Sequence, residues 1–201
     1  MNRWGLKGIV KIPNAVKIPE TQPITTEQTL LFLGSYGYKA NIDAAEFLIR
    51  KIWPLVRRTI PKATLIIAGQ FPDRIPCYRA GIQGIKFTGF VKELDDLYGQ
   101  SRVVCAPILA GGGTRVKIIE AAAYGKPVVS THIGAEGIEM QDEVEFFLRD
   151  DPTSFAEACT RLLNDHILCK QMGGTARNTA IKKYNQINIK QRIQEIIKGS
   201  F

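Results

Sequence analysis

The stretch "LAGGGTRVKIIEAAAYGKPVVSTHIGAEG", residues 109–137, places a glycine loop, an apolar helix and a strand-like run in close succession. Three consecutive glycines lead into a helical pattern from Val116 to Tyr124, in which Glu120 is the one carboxylate. The run Pro127 to Thr131 has the composition of a buried strand. A helix set between strand-like runs is the βαβ arrangement. This stretch therefore predicts a parallel sheet covered by helices.

The same alternation continues on both sides of this stretch. Further strand-like runs are Thr29 to Gly34, Ala63 to Gly69, Ile85 to Val91, "RVVCAP" and, as a last edge strand, Phe146 to Leu148. In the helix after the first run, Asn41 is predicted as the cap and Pro54 as a kink. We therefore expect an α/β fold with a doubly wound, Rossmann-like parallel sheet, and ligands bind beyond the carboxyl ends of such strands.

The predicted domain organisation has two parts. Residues 1–28 contain Pro and Thr and show little periodicity, so they are interpreted as an interdomain linker and junction segment. Residues 29–201 form the Rossmann-like domain with its C-terminal helices. With 45% hydrophobic residues among 201, the chain can build one sizeable core.

The net charge of +8 would suit nucleic acid, an anionic membrane or a phosphorylated small molecule. We expect no nucleic-acid binding, because no basic stripe is interleaved with aromatic residues. The four cysteines lack metal-ligand spacing, and Cys105 lies in a strand-like run, which favours buried, reduced thiols in the cytoplasm. The sequence has no run of about 18 apolar residues, so we expect a soluble or peripheral protein.

The glycine loop has the properties of an anion-binding turn. Glycines allow close backbone approach and the positive φ angles that point several N–H groups at one anion. Together with the helix N-terminus, Gly113, Thr114, Arg115 and Lys117 would form a diphosphate cradle. The alternative is a mobile connection with both cations in water.

Glu120 is out of place in so apolar a helix. A covered carboxylate needs hydrogen-bond donors, and the vicinal hydroxyls of a ribose would provide two. The alternative partner is Lys117, three residues earlier, in a pair worth only about 0.2–0.5 kcal/mol when exposed.

Several motifs occur together in a known order: "LLFLGSYGYKANIDAAEFLIRKIWPLV", "LIIAG", "IKFTGFVKELDDLYGQSRVVCAPILAGGGTR" and the stretch quoted at the outset. Over nearly its whole length the chain resembles the C-terminal, nucleotide-sugar-binding domain of GT-B glycosyltransferases of the group 1 type (glycosyltransferase family 4). Its "GGGTRxK" pattern is similar to one branch of that family.

The resemblance implies transfer of a sugar from a nucleotide-diphosphate sugar to an acceptor such as a saccharide or a lipid-linked saccharide. It further implies retention of configuration, a role in polysaccharide biosynthesis, and no bound metal or other cofactor. It assigns the ribose to Glu120, the base to Phe90 and Val91, and the diphosphate to Gly34, Gly113 and Thr114. No catalytic residue is assigned.

The chain departs from the family pattern in two places. The first Glu of the family's two-Glu motif falls on Gly112, which leaves the donor sugar undefined. The Arg and Lys that many members place after the first strand fall near Ser35 and Ala40. We interpret Arg115 and Lys117 as replacing that charge from the opposite side of the crevice.

Four further side chains are candidates near the ligand. His132 and Glu136 follow a predicted strand and would lie in the donor-sugar region with Gly112; the alternatives are polar surface for His132 and a solvated turn for Glu136. Tyr36 and Tyr38 would line the crevice mouth or pack over the first helix, and packing is the expectation.

Members of the family have a second, N-terminal domain that binds the acceptor, and this chain contains no counterpart. We therefore expect a partner domain or chain, and self-association through the surface it would cover. Two alternatives stay open: a non-catalytic remnant or separately encoded nucleotide- or partner-binding module, and a GT-B epimerase. Peripheral contact with anionic lipid would involve Lys182, Lys183, Lys190 and Arg192; the alternative for these residues, a solvated helix face, is the expectation.

Overall fold

The computed structural model describes residues 10–20 and 25–199. Within these residues the strands are β1 (Thr29–Leu33), β2 (Thr64–Ala68), β3 (Ile85–Gly89), β4 (Val103–Ala106), β5 (Val128–Ser130) and β6 (Phe146–Leu148). They form one sheet in the order β3-β2-β1-β4-β5-β6, and every neighbouring pair is parallel. The predicted doubly wound parallel sheet is confirmed, with Phe146–Leu148 as its edge strand.

Helices cover both faces of this sheet. They are α1 (Lys39–Phe47), α2 (Trp53–Thr59), α3 (Leu94–Gln100), α4 (Val116–Ala123), α5 (Pro152–Asn164), α6 (His166–Tyr184) and α7 (Gln186–Gly199). A π-helical turn, Leu48–Ile52, joins α1 to α2. It ends just before Pro54, whose missing N–H interrupts the regular ladder, so the predicted irregularity at Pro54 is confirmed.

The prediction that Asn41 caps this helix is wrong. The residue at the N-cap is Tyr38, and α1 begins at Lys39. Asn41 lies inside the first turn and donates a hydrogen bond from Nδ2 to the carbonyl of Ser35 at 2.9 Å. Its side-chain oxygen is thereby left to accept a bond from elsewhere.

The core explains why α4 is apolar on nearly all sides. Ile118 and Ala121 pack against one face of the sheet, whereas Ile119 and Ala122 pack against α6. A Cβ at Gly173 of α6 would lie 2.1 Å from the carbonyl oxygen of Gly125, in the turn that follows α4, so α6 contacts this turn backbone to backbone. The helix is buried between the sheet and α6, as its sequence pattern predicts.

The strand order creates a switch point between β1 and β4. From β1 the chain moves outward to β2 and β3, whereas from β4 it moves the other way to β5 and β6. In such sheets the crevice at the reversal receives the ligand. At the floor of the crevice the backbones of Gly69 and Gly34 are in close contact. Gly69 has a φ angle of 135°, and a Cβ at this position would lie 1.6 Å from the carbonyl oxygen of Gly34.

Part of the predicted junction segment is docked on the domain. Val16 is buried; its N–H donates to Tyr184 and its carbonyl accepts from Gln186, at 2.8 and 3.0 Å. Arg177 donates to the carbonyl of Pro19 at 2.7 Å. Residues 1–9, 21–24 and 200–201 lie outside the described residues, and the domain boundary after residue 28 stays a prediction.

All four cysteines are free and buried, as expected from the position of Cys105. Across residues 10–20 and 25–199, no helix is long and apolar enough to cross a bilayer.

Candidate functional site

A cleft of about 540 Å³ opens beyond the carboxyl ends of β1, β2 and β3, against α4. We call it the switch-point cleft. Five predicted site residues line it together: Gly34, Phe90, Val91, Lys117 and Glu120. Tyr38 and Asn41 from the start of α1 complete one wall. The sheet therefore brings residues that are up to 86 positions apart in the chain to one cavity.

Lys117 is half-buried by surface area, and its ammonium is enclosed against the end of β1. Its Nζ donates to Oδ1 of Asn41 at 3.0 Å and lies 4.7 Å from the centroid of the Phe32 ring. A Cβ at Gly34 would lie 3.2 Å from the same Nζ, so glycine there leaves room for the ammonium. Burial, together with the nearby Arg115 charge, lowers the pKa of Lys117 to about 8.

The immediate polar partner of this ammonium is a neutral amide. An ammonium has three donors, and a buried charge is stabilised fully only by a countercharge. An anion entering the switch-point cleft beside Gly34 would supply that countercharge. The position of Lys117 therefore fits an anionic ligand group.

Glu120 lies one turn further along α4, half-buried in the same cleft. Burial raises its pKa, and the Lys117 charge offsets part of that rise. Within the described residues its carboxylate accepts no hydrogen bond, and Lys117 donates to Asn41 instead of forming the alternative pair with Glu120. The carboxylate is thus available for donors on a ligand.

Two exposed aromatic rings flank the cleft, Tyr38 at 71% and Phe90 at 68% exposure. Val91 beside Phe90 is half-buried. Tyr36 is fully buried and its hydroxyl donates to the carbonyl of Ala68 at 3.1 Å. The expectation of packing is therefore right for Tyr36 and wrong for Tyr38. Exposed aromatic faces beside a cleft suit a flat ligand ring.

The glycine loop lies at the edge of this cleft, over the first turn of α1. Gly111 and Gly113 have φ angles of 103° and 86°, the conformation that favours glycine. Arg115, the N-cap of α4, turns back on the loop: Nη1 donates to Gly112 and Nη2 to Gly111, both at 2.8 Å. The guanidinium is half-exposed, lies on its own loop and does not line the switch-point cleft. The predicted diphosphate set therefore divides into Gly34 and Lys117 in the cleft, and Gly113, Thr114 and Arg115 in the loop.

His132 and Glu136 do not line the switch-point cleft. The His132 backbone N–H and its ring Nδ1 lie 2.9 and 2.8 Å from the two carboxylate oxygens of Asp150, and the pair is exposed. Glu136 is exposed in the next turn. That turn touches the glycine loop, since a Cβ at Gly137 would lie 3.2 Å from Oγ1 of Thr114. Both residues thus flank the loop that includes Gly112.

Sequence reasoning missed two residues of this region. Asn41 was assigned to a helix cap, although it holds the Lys117 ammonium. Tyr98 on α3 packs beside α4 with a buried hydroxyl, and its sequence context, "LDDLYGQ", gives no signal beyond an amphipathic helix. In the part of the chain that the structure describes, no three His, Cys, Asp or Glu side chains cluster as metal ligands; that the protein binds no metal stays a prediction.

Comparison with known proteins agrees with this architecture. A family model described as glycosyl transferases group 1 matches residues 27–165. The phosphatidyl-myo-inositol mannosyltransferase of Mycobacterium leprae is 24% identical over 216 aligned positions, which cover 96% of this chain and 55% of that protein.

Two solved structures share the fold at low sequence identity. A mutant of S. aureus TarM, in complex with fondaparinux, alpha-GlcNAc-glycerol and UDP, superposes with a TM-score of 0.81 at 20% identity, covering 97% of this chain and 40% of TarM. Anabaena HepE, in complex with UDP and glucose, gives 0.73 at 17% identity, covering 93% of this chain and 56% of HepE. The chain thus spans roughly half the length of these relatives.

Proposed function

This chain belongs to the group 1 glycosyltransferases, and on that premise we propose that it forms the donor-binding half of a retaining glycosyltransferase. Such an enzyme would transfer a sugar from a nucleotide-diphosphate sugar to a saccharide or lipid-linked acceptor. One observation carries the proposal: the switch-point cleft brings a buried cation, Lys117, and a carboxylate without a donor, Glu120, beside exposed aromatic rings.

These groups match the parts of a nucleoside diphosphate. Such a ligand presents a flat base, a vicinal diol and an anion in that sequence. The cleft offers Phe90 and Val91 just after β3, Lys117 against Gly34 at the end of β1, and Glu120 one turn along α4 from Lys117. Residues three apart on a helix project to the same side, so Glu120 and Lys117 can engage adjacent parts of one ligand. We therefore assign the base to Phe90 and Val91, the ribose to the carboxylate and the diphosphate to the ammonium.

The chemical contribution of this half is to stabilise the leaving group. When the bond between the sugar and the diphosphate breaks, negative charge grows on the diphosphate. Lys117, already placed in the cleft, and the N–H groups at the start of α4 would stabilise that charge. The acceptor and any further catalytic groups would come from the portion of the relatives that this chain does not span.

The relatives indicate which nucleotide to test first. TarM and HepE are described with UDP, which makes UDP the first nucleotide to test. We extend the proposal to polysaccharide biosynthesis in the cytoplasm, peripheral to the membrane where the acceptor is lipid-linked. A second cleft, of about 400 Å³, supports that contact because Lys182 and Arg192 line it without an acidic partner among the described residues, whereas Lys11 and Lys183 pair there with Glu139.

The test is calorimetric titration of the folded chain with UDP, GDP and ADP, repeated on Glu120→Gln. We expect saturable binding of one nucleotide, weakened about tenfold or more in Glu120→Gln, because hydrogen bonds to a charged group are lost. Glu157→Gln on α5, an exposed position outside the switch-point cleft, is the matched control and should bind like the parent chain.

Failure of all three nucleotides to bind would contradict the proposed function. It would favour the alternative of a non-catalytic, partner-binding module. Equal binding by the parent chain and Glu120→Gln would show that the ribose does not contact Glu120.

A further inference from the structure

The hydroxyl of Tyr98 is buried without a partner. The residue lies on α3, its side chain is fully buried, and no described residue accepts or donates a hydrogen bond at its hydroxyl. A buried donor that has lost water and gained no acceptor carries a desolvation cost, and native proteins keep few of them. A phenylalanine would fill the same space without that cost.

The ring of Tyr98 lies beside the face of α4 that carries Glu120. It stacks on the ring of Tyr124 with centroids 4.2 Å apart and planes 17° apart. Tyr124 follows Glu120 by four residues, so both project from one side of the helix. The Tyr124 hydroxyl already donates to Oδ1 of Asp95 at 2.7 Å. Tyr98 is thus the member of the tyrosine pair whose hydroxyl is free to donate.

The carboxylate of Glu120 is the candidate hydrogen-bond acceptor for the Tyr98 hydroxyl. Its carboxylate accepts no hydrogen bond within the described part of the chain, and its negative charge acts on Tyr98, adding to the rise in the Tyr98 pKa that burial causes. One buried donor without an acceptor therefore lies on the same side of α4 as one half-buried carboxylate without a donor.

We propose that Tyr98 is a positioning residue for Glu120, its hydroxyl donating a hydrogen bond to the carboxylate when that carboxylate turns to hold the ribose diol. The inference rests on the proposed function. An ionised carboxylate has about four acceptor positions, so it can accept two ribose hydroxyls and Tyr98 together. Tyr98 would then limit the rotamers of Glu120 and strengthen the discrimination between ribose and deoxyribose.

The experiment compares the parent chain with Tyr98→Phe, which keeps the ring and the stack. Titrations use UDP, GDP and ADP, followed by the 2′,3′-dideoxy form of whichever diphosphate binds. We expect Tyr98→Phe to bind the ribonucleotide about tenfold more weakly and the dideoxy form as the parent chain does. The melting temperature without ligand should stay the same or rise, because the removed hydroxyl has no partner to lose.

Tyr124→Phe is the matched control, since it removes the other hydroxyl of the same pair and should leave the ratio of ribo to dideoxy affinity unchanged. If the parent chain binds and Glu120→Gln weakens binding, but Tyr98→Phe binds the ribonucleotide normally, the inference fails while the proposed function stands. A lower melting temperature, or equal losses for both nucleotide forms, would also overturn it. If the parent chain binds no nucleotide, the proposed function fails and the inference with it.

Discussion

Lys117 shows, at the scale of one residue, how a binding group is held at a cost to stability. Its ammonium is buried against the amide of Asn41 and the ring of Phe32, and its pKa falls to about 8 from an ordinary 10.5. Between these two values the unfolded chain binds more protons than the folded one, so stability rises with pH across that window. Below about pH 8 the full cost of the buried charge is present.

We predict that Lys117→Met raises the free energy of unfolding by about 2 kcal/mol at pH 7, because the penalised charge is removed. The gain should shrink as the pH rises from about 8 to 10.5, where the parent lysine becomes neutral in the folded chain. Lys126, whose burial also lowers its pKa to about 8, is present in both proteins and cancels in the difference. Denaturant unfolding at several pH values measures the effect.

The control for this prediction is Lys39→Met. Lys39 is 86% exposed at the start of α1 and pairs with Asp43, so its removal should change stability by no more than about 0.5 kcal/mol. A gain for Lys117→Met that is as large at pH 10.5 as at pH 7 would show that packing, not the buried charge, is responsible.

At the scale of elements, the glycine loop and α4 are joined by one side chain. Arg115 directs two guanidinium nitrogens onto the carbonyls of Gly111 and Gly112, so the loop is bound to the first turn of the helix. The planar fork of arginine suits two neighbouring acceptors, whereas lysine offers a single ammonium. The guanidinium of Arg115 thus stabilises the glycine loop, and any contact with a ligand would be additional to that role.

We predict that Arg115→Lys behaves like Arg115→Ala, although it keeps the charge. Both variants should exchange the amide hydrogens of residues 110–115 faster and bind the nucleotide about fivefold more weakly, because the loop becomes less ordered. Hydrogen exchange and calorimetry measure the two effects. Arg79→Lys, at an exposed position without a hydrogen-bond partner among the described residues, is the control. If Arg115→Lys exchanges its amide hydrogens and binds the nucleotide like the parent chain, while Arg115→Ala does not, then only the charge of residue 115 matters.

At the scale of the whole molecule, large apolar side chains are exposed where the strands end. They follow β1 to β5 or begin α4: Tyr38, Phe71, Phe90, Leu109, Val116 and Ile133. Exposed apolar groups gathered on one edge of a fold mark an interaction surface. Because the relatives are about twice as long, the portion that this chain does not span is the proposed occupant of that edge.

We predict that the chain alone self-associates through this edge at high concentration. Sedimentation velocity over a range of concentrations should show a growing population of dimers or larger species, and the double variant Leu109→Ser, Ile133→Ser should reduce it. Ile167→Ser is the control, since Ile167 is apolar and even more exposed than Leu109 and Ile133 but lies on α6. A single monomeric species at every concentration would contradict the prediction.

The order of strands and helices, the parallel sheet and the burial of α4 could all be predicted from the sequence. Local patterns suffice for these features, because a period of two or 3.6 residues and a lack of charge report how each segment is covered. The same reasoning placed Gly34 and Lys117 in one crevice, since the carboxyl ends of parallel strands share one edge. Glu120 was assigned to that crevice through the resemblance to the family.

Only the tertiary structure decided which side chains meet. The Lys117 ammonium finds Asn41, 76 residues earlier, because β1 and β4 are neighbours in the sheet. Arg115 turns back to its own loop, and Tyr98 stacks on Tyr124 with its hydroxyl unpartnered beside Glu120. These contacts depend on strand order and side-chain rotamers, which are set by packing between distant segments. A local sequence pattern indicates how far a residue is buried, but it does not indicate which distant residue that side chain contacts.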